Sequence, residues 1–435
     1  MGKILLIITL TIDLFVAINS ILKRNITALY TIFAIMWSMI LIFYLLASGN
    51  WFSIDPYIAF TILMGDITFL STTYIVSNSK PRYSSTNTKT ECTTDDKCTT
   101  DDPKYYLILV LSIITIIWLS IGLVDRITML LRGMSFNEIY FYYLRNSSDT
   151  ARGPIVSLVT MLIARPYCYC SLCVLTNEIY KEGKRKKWVI VLQLLILTFS
   201  VIQNGKRAMI IYWFFMMLFE GIRLGNFRKS RSLIQKHKLL FVIAGAIVLG
   251  ILLWISGRRD TDLFNSVYGY FAGGIPSFSE RAPSVTEHFY GLGLLHGLLV
   301  PIIITLHGFF HLPYPNWYLQ LDKYVEAADY IQIGPDSITN AFNTLYYVPY
   351  LDGGLLFVLF EMILVGIIYG IAYRKLKTND NYRNRSLYEL LIVGIVGSGY
   401  TLYFTQYPFL IAFFYILIIT HNDSHHASLI VKVRW

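Results

Sequence analysis

The side chains of this sequence that could do chemistry are concentrated in one polar stretch, 256–354. It contains Arg281, whose permanently charged guanidinium can bind phosphate oxygens through a fork of N–H groups. It also contains His288, Asp352 and Asp260, which can take a proton from a hydroxyl group. If the protein carries out chemistry, its polar working residues therefore lie largely in this stretch, although a single histidine in such a region is more often a surface or interfacial residue than a base.

Further cations adjoin the apolar runs of the sequence. Lys206 and Arg207 form the tip of a short glycine turn, Arg258 and Arg259 follow the next apolar run, and Arg165 lies inside an earlier one. An arginine inside an apolar run implies a nearby anion, either a protein carboxylate or a lipid phosphate. The two pairs are either a phosphate site or interfacial cations that reach toward water. Because both pairs occur at the same membrane face, each strengthens the interpretation of the other as a phosphate site.

Other kinds of site are not indicated. The sequence has no glycine-rich phosphate loop, no nucleotide-binding fold and no Gly-x-Ser-x-Gly motif. His307 and His311 are four residues apart but lack the other residues of a zinc motif. We therefore expect chemistry without a metal, a nucleotide or another cofactor.

Composition predicts the fold class. With 55% hydrophobic residues and only 15% charged residues, the 435-residue chain is too apolar for a soluble protein. We expect a single all-α, polytopic membrane domain over 1–435 with about eleven transmembrane helices, each able to cross a hydrocarbon core of about 30 Å. The apolar runs lie near 4–22, 27–48, 57–77, 105–124, 153–176, 188–203, 208–222, 239–255, 355–373, 387–402 and 404–420, with an uncertain one near 289–306.

Lysine and arginine give the orientation. They recur in every second loop between the apolar runs, as expected for loops on the cytoplasmic side. This pattern places the N-terminus outside, the C-terminus in the cytoplasm, 78–104 as a polar cytoplasmic loop and 256–354 as a large outer region. It also accounts for the net charge of +10, which is therefore no argument for nucleic-acid binding.

The segment 264–310 must then cross the membrane twice or not at all. We expect a re-entrant or surface-lying pair of short helices, because 264–280 is too polar to face lipid. Two crossings there would raise the total to twelve or thirteen. Asp13 and Asp66 lie inside apolar runs, where an ionisable group usually faces a cavity or a partner, and either could pair with Arg165.

A succession of short motifs in 190–375 carries a family resemblance. They are the Gly205-Lys206-Arg207 turn, Ser256-Gly257-Arg258-Arg259-Asp260, Tyr270-Phe271-Ala272-Gly273-Gly274-Ile275-Pro276, and Asn340-x-x-x-Thr344 followed by Tyr350-Leu351-Asp352-Gly353-Gly354. In this order and spacing the chain resembles the Wzy-type polymerases of bacterial O-antigen and capsule repeat units.

The resemblance implies a fold of the GT-C-like kind and a membrane glycosyltransferase at the outer face of the bacterial inner membrane. Such an enzyme joins oligosaccharide repeat units linked to undecaprenyl pyrophosphate, as in lipopolysaccharide biosynthesis. Its partners would be that lipid-linked substrate, membrane lipid, a chain-length regulator and a flippase, and not nucleic acid.

For this reaction His288 is the first candidate for the general base, and Asp352 or Asp260 is the next. The cations that would bind the pyrophosphate are Lys206, Arg207, Arg258, Arg259, Arg281 and Arg165. The residues that would contact the substrate, with tyrosine rings stacked on sugars, are Asn340, Thr344, Tyr350 and Tyr270.

Two alternatives remain open at this point. A flippase or other transporter of the same lipid-linked unit would need charged residues along its spans and repeated halves, and we see no internal repeat. An O-antigen ligase would share the membrane architecture and the outer cations, so the sequence hardly separates it from a polymerase.

Overall fold

The computed structural model describes residues 1–47, 50–79, 103–134, 154–181, 185–204, 208–225, 269, 271–325, 331–335, 337–339 and 343–421. Its first half consists of α1 (Gly2–Leu22), α2 (Leu29–Ala47), α3 (Pro56–Asn78), α4 (Tyr105–Leu131), α5 (Pro154–Val159), a π-helical turn (Thr160–Ala164), α6 (Arg165–Tyr180), α7 (Lys187–Asn204) and α8 (Ala208–Arg223). The second half consists of α9 (Gly274–Arg281), α10 (Leu292–Phe310), α11 (Asn316–Val325), β1 (Ile331–Gly334), β2 (Ser337–Thr339), α12 (Thr344–Thr378), α13 (Tyr382–Val396) and α14 (Tyr407–Ile419), with 3-10 turns at Ala282–Ser284, Gly397–Gly399 and Tyr403–Thr405.

The predicted all-α membrane fold is confirmed, because seven helical segments of the described chain are long and apolar enough to cross a membrane. They are Gly2–Leu22, Leu29–Ala47, Pro56–Asn78, Tyr105–Met129, Ile155–Tyr180, Leu292–Phe310 and Thr344–Thr378. Lys187–Gln203 and Tyr407–Ile419 are shorter apolar helices. Helices also cover the predicted runs 208–222 and 387–402, at 16 and 15 residues, whereas 239–255 lies outside the described residues.

Helices α3 and α12 pack closely and run in the same direction. At one end the rings of Tyr57 and Tyr350 are 6.4 Å apart, and at the other Arg374 donates to Ser79 Oγ at 2.7 Å. Gly366 and Gly370 on α12 permit this approach, since a Cβ atom at Gly370 would lie 2.6 Å from Cβ of Val76. Glycines spaced by four residues allow close backbone contact between membrane helices, where packing rather than water exclusion drives association.

Replacing Gly370 with leucine should separate α3 from α12. We expect Gly370→Leu to lower stability by about 1–3 kcal/mol or more, the range for overpacked sites. Thermal unfolding of the detergent-solubilised protein measures the effect. Ile363→Phe, at an α12 position that is 41% exposed, is the matched control and should leave the midpoint nearly unchanged.

One end of the bundle is held by an ionic network. Arg223, at the end of α8, binds Glu220 at 2.6 Å and Asp380 at 2.9 Å, and Arg385 of α13 binds the same Asp380 at 2.6 Å. Although partial burial opposes ionisation, hydrogen bonds from Arg385 and Arg223 hold the pKa of Asp380 below its ordinary value of 3.8. The network ties α8 to the junction between α12 and α13.

The depressed pKa of Asp380 predicts a pH dependence of stability. Its contribution is complete above the ordinary value of 3.8 and is lost as the pH falls through the lower value of the folded protein. We expect Asp380→Asn to lower stability at neutral pH by less than about 1 kcal/mol, because the carboxyl is partly exposed. Thermal midpoints at several pH values should show the difference from wild type vanishing in acid, whereas Glu287→Gln should show no difference at any pH.

The segment between α9 and β1 begins and ends at the same end of the helix bundle. Helix α10 begins next to Phe289, and α11 ends with Tyr324 against the same ring, at a centroid distance of 5.9 Å. Tyr324 also donates to the backbone oxygen of Ser284 at 3.1 Å. The α10–α11 pair is thus a helical hairpin that does not change the side on which the chain emerges. Its first helix is, however, longer than the short helix that we expected in 264–310.

Helix α12 is broken near its start. Gly353 and Gly354 depart from helical geometry, and Gly354 has a φ of 65°, a left-handed conformation that favours glycine. The break separates the first turns of α12, residues 344–352, from the long apolar part that follows. Those first turns are the part of the fold that positions the candidate site.

Candidate functional site

The first turns of α12 form a buried platform at the end of α12 opposite the ionic network. Residues Thr344–Pro349, Leu351 and Asp352 of this platform are buried, and Tyr350 is half-buried. The platform is covered by α9, by the 285–291 loop and by the start of α10. Two of these covering elements carry candidate residues of the sequence, Arg281 on α9 and His288 on the loop.

Arg281 reaches the platform from the end of α9. Its Nε donates to Ser277 Oγ at 3.4 Å, and that hydroxyl donates to Oδ1 of Asn343 at 3.0 Å. On the same helix, the ring of Phe278 packs against that of Tyr347 of the platform at a centroid distance of 5.7 Å. Ser277 and Asn343 are buried and hold the Nε atom of Arg281 in position, whereas the Arg281 residue is partly exposed.

His288, in the 285–291 loop, is hydrogen-bonded to α12. Its Nδ1 lies 3.2 Å from the backbone oxygen of Leu351, which also accepts from the backbone N–H of Phe289 at 3.2 Å. A carbonyl oxygen can only accept, so this contact assigns the proton to Nδ1 and leaves a lone pair on Nε2. Because the His288 side chain is exposed, its Nε2 can take a proton from a bound molecule.

Both side chains are therefore held against the first turns of α12. Arg281 is joined through Ser277 to Asn343, the residue before Thr344, and His288 is joined to the carbonyl oxygen of Leu351. A cation and a base are thus brought to the same end of α12, where they can stabilise a developing phosphate charge and accept a proton.

Asp352 is positioned for a different task from that of a base. Its Oδ1 accepts the backbone N–H of Gly293 at 2.8 Å, and its Oδ2 accepts that of Leu294 at 3.0 Å. These are the first free amides of α10, whose cap position is occupied by Gly291, a residue without a side chain. Both carboxylate oxygens therefore serve as the cap of another helix.

Thr344 and Tyr350 lie on the platform as well. Thr344 has a φ of 50°, which is unusual for a β-branched residue, and no described residue forms a hydrogen bond with its buried Oγ1. Tyr350 packs its ring against Phe278 of α9, at 5.3 Å, and against Tyr57. Thr344 is thus a buried element of the platform, and Tyr350 is a partly exposed aromatic beside it.

The remaining predicted residues are elsewhere or outside the described part. Arg165 is exposed at the start of α6 and donates to Tyr407 Oη at 2.7 Å. Asp13 of α1 and Asp66 of α3 are buried, and Asp66 accepts from Tyr346 Oη at 3.2 Å. Asp260, Lys206, Arg207, Arg258, Arg259, Asn340 and Tyr270 lie outside the described residues.

Sequence reasoning did not select Ser277, Asn343 and Tyr347. A serine four residues before Arg281 lies on the same face of a helix, and that spacing could have identified Ser277 as its support. Asn343 depends on the packing of α9 against the start of α12, which no local spacing reveals. In the described residues, no three or more His, Cys, Asp or Glu side chains are grouped as a metal site would require.

Comparisons with known proteins return nothing: the chain matches no family model, no curated protein and no solved structure.

The support of Arg281 can be tested by removing the hydroxyl of Ser277. We expect Ser277→Ala to lower stability by about 1–3 kcal/mol, because buried Asn343 Oδ1 loses its donor. Thermal unfolding in detergent measures this loss. Thr286→Ala, a hydroxyl deletion in the exposed part of the neighbouring loop, is the control, and an equal midpoint for both variants would contradict the assigned hydrogen bond.

Proposed function

We propose that this protein is a membrane glycosyltransferase that polymerises oligosaccharide repeat units carried on undecaprenyl pyrophosphate, at the outer face of the bacterial inner membrane. The observation that carries the proposal is that hydrogen bonds hold both Arg281 and His288 against the first turns of α12. This reaction needs a fixed cation for a pyrophosphate leaving group and a base for a hydroxyl nucleophile. The order of the motifs in 190–375 supports the same family.

The orientation follows from the ends of α12. Its last turns carry Arg374, Lys375 and Lys377, and the ionic network of Arg223 and Arg385 lies at the same end. Loops rich in Lys and Arg face the cytoplasm, so in the proposal the Arg281 end faces outward. The substrate that is presented on that side is already joined to its lipid and needs no nucleotide.

In the proposed reaction, the hydroxyl oxygen of the terminal sugar on one lipid-linked unit attacks the anomeric carbon of the glycan on another. The bond between that carbon and the pyrophosphate oxygen breaks, and undecaprenyl pyrophosphate leaves with the electron pair. Arg281 stabilises the negative charge that develops on the leaving group. Nε2 of His288 accepts the proton of the attacking hydroxyl.

In the proposal, five further cations bind the pyrophosphate groups of the substrates: Arg165, Lys206, Arg207, Arg258 and Arg259. Arg165 would contact a lipid phosphate from a separate surface, since its position at the start of α6 is not next to Arg281. Tyr350, partly exposed beside α9, is the described aromatic that is best placed to contact a sugar. Residues Tyr270 and Asn340 keep the substrate-binding roles that the resemblance implies, and Asp260 remains a second candidate base.

Complementation of a deletion strain tests the function. Wild type should restore a ladder of long surface glycan on gels, whereas Arg281→Ala and His288→Ala at matched expression should yield glycan with a single repeat unit. We expect losses of polymerisation of about 10²–10³ for Arg281→Ala and 10²–10⁴ for His288→Ala. Arg281→Lys should be intermediate, because it keeps the charge but loses the fork of donors.

Arg374→Ala is the matched control, since it removes an arginine at the other end of α12, and it should restore the ladder. The phenotype of the deletion strain distinguishes the alternatives. Lipid-linked single units that accumulate on the cytoplasmic side would identify a flippase. Long lipid-linked polymer that remains unattached would identify a ligase, and either result would overturn the proposal.

A further inference from the structure

The loop that carries His288 ends in a tight turn. The backbone N–H of Leu292 donates to the carbonyl oxygen of Phe289 at 3.0 Å, which closes a turn of four residues. Its central residues, Tyr290 and Gly291, have φ angles of 50° and 93°. Positive φ at both central positions is typical of a type I′ turn, which favours asparagine, aspartate or glycine at the first position and glycine at the second. Gly291 meets this preference, whereas Tyr290 does not.

The platform holds Tyr290 in this unfavourable conformation. Its backbone N–H donates to the carbonyl oxygen of Asp352 at 2.9 Å, and that of Phe289 donates to the carbonyl oxygen of Leu351 at 3.2 Å. The Tyr290 side chain, by contrast, is 77% exposed, more than any other aromatic side chain that the structure describes. Strained residues of this kind are concentrated at sites that bind ligands. Because so little of the ring is buried, packing against the core does not account for a tyrosine here.

The ring of Tyr290 belongs to an aromatic patch beside the break in α12, formed by Tyr57, Tyr290 and Phe357. The ring of Tyr290 meets that of Phe357 edge-on, at a centroid distance of 6.4 Å and an interplanar angle of 70°. Phe357 covers Gly353, where an added Cβ atom would strike its ring. A Cβ atom added to Gly354 would lie 4.0 Å from Oη of Tyr57, which is 50% exposed. The three rings therefore lie around the broken backbone of α12.

The chemistry of the aromatic patch suits a sugar. One face of a sugar ring presents C–H groups that can pack on an aromatic ring, and sugar hydroxyl groups can exchange hydrogen bonds with phenols. The three patch side chains are neutral, so they favour an uncharged sugar over a phosphate group. His288 lies two residues before Tyr290, both side chains are exposed, and Phe289 between them is buried. A sugar bound on Tyr290 is therefore next to the base of the proposed reaction.

Tyrosine residues are common at membrane interfaces, where they need no ligand. Such a residue only has to lie at the right depth, and an ordinary backbone conformation achieves this. Tyr290 is instead held in a conformation that disfavours its side chain, two residues from the candidate base. From this geometry, and on the basis of the proposed function, we propose that the aromatic patch binds the terminal sugar of the acceptor unit and that Tyr290 orients the attacking hydroxyl toward His288.

The sharpest test is Tyr290→Asn. Asparagine is favoured at this position of the turn, so the variant keeps the backbone conformation and removes only the ring. We therefore expect a thermal unfolding midpoint in detergent equal to or above that of wild type. The KM for lipid-linked repeat units, measured with the full-length protein in nanodiscs, should rise about tenfold with little change in kcat, because a binding contact is lost. Tyr290→Phe should raise KM less, because it keeps the ring.

A second readout measures sugar binding without any reaction. The probe is the repeat-unit oligosaccharide released from its lipid by mild acid, and saturation-transfer NMR reports which of its protons touch the protein. Wild type should saturate the protons of the terminal sugar, and Tyr290→Asn and Tyr57→Ala should weaken this signal. Tyr106→Asn is the matched control, since Tyr106 is a 63% exposed tyrosine at the start of α4, and it should behave like wild type.

The inference is overturned if the wild-type protein saturates no sugar protons, or if Tyr290→Asn binds the sugar and polymerises with the wild-type KM. It is also overturned if Tyr290→Asn lowers the thermal midpoint and kcat but leaves KM unchanged, because Tyr290 would then only support the fold. Sugar binding that depends on Tyr290, in a protein that makes no polymer, would instead contradict the proposed function and leave the sugar site supported.

Discussion

The interaction on which the candidate site depends is the contact between the carboxylate of Asp352 and the first amides of α10. In a membrane protein, free backbone amides at a helix start have no abundant water to satisfy them, and each one left unpaired is unfavourable by several kcal/mol. Gly291 supplies no side chain for this purpose, so a residue from another helix does. Asp352 thereby joins α12 to the start of α10 through its side chain, and to the turn after His288 through its backbone oxygen.

Buried polar groups of the bundle are likewise joined to partners on other helices. Asp66 of α3 accepts a hydrogen bond from Tyr346 of α12, inside the contact between these two helices. Less buried charges lie at the two ends of α12, with the Arg223–Asp380–Arg385 network at one end and Arg281 at the other.

The membrane class and most helix positions could be predicted from the sequence, because an apolar run long enough to cross the hydrocarbon core directly indicates a transmembrane helix. It also selected Arg281, His288 and Asp352, which the fold brings to one short helical platform. It did not reveal that Asp352 caps α10, since that bond joins residues 59 positions apart in the chain. Nor did it reveal Asn343 as a support of Arg281, because that contact arises where α9 meets α12. Local spacing predicts which side chains share a helix face, but not which helices meet.

The central claim is that Arg281 and His288 act together on a lipid-linked sugar. The most direct measurement incubates the purified protein in nanodiscs with undecaprenyl-pyrophosphate-linked repeat units and follows the products by mass spectrometry. The account predicts a ladder of lipid-linked oligomers with release of one undecaprenyl pyrophosphate per bond formed, and its loss in both Arg281→Ala and His288→Ala. Unchanged single units from the folded wild-type protein, or oligomers made equally well by both variants, would contradict it.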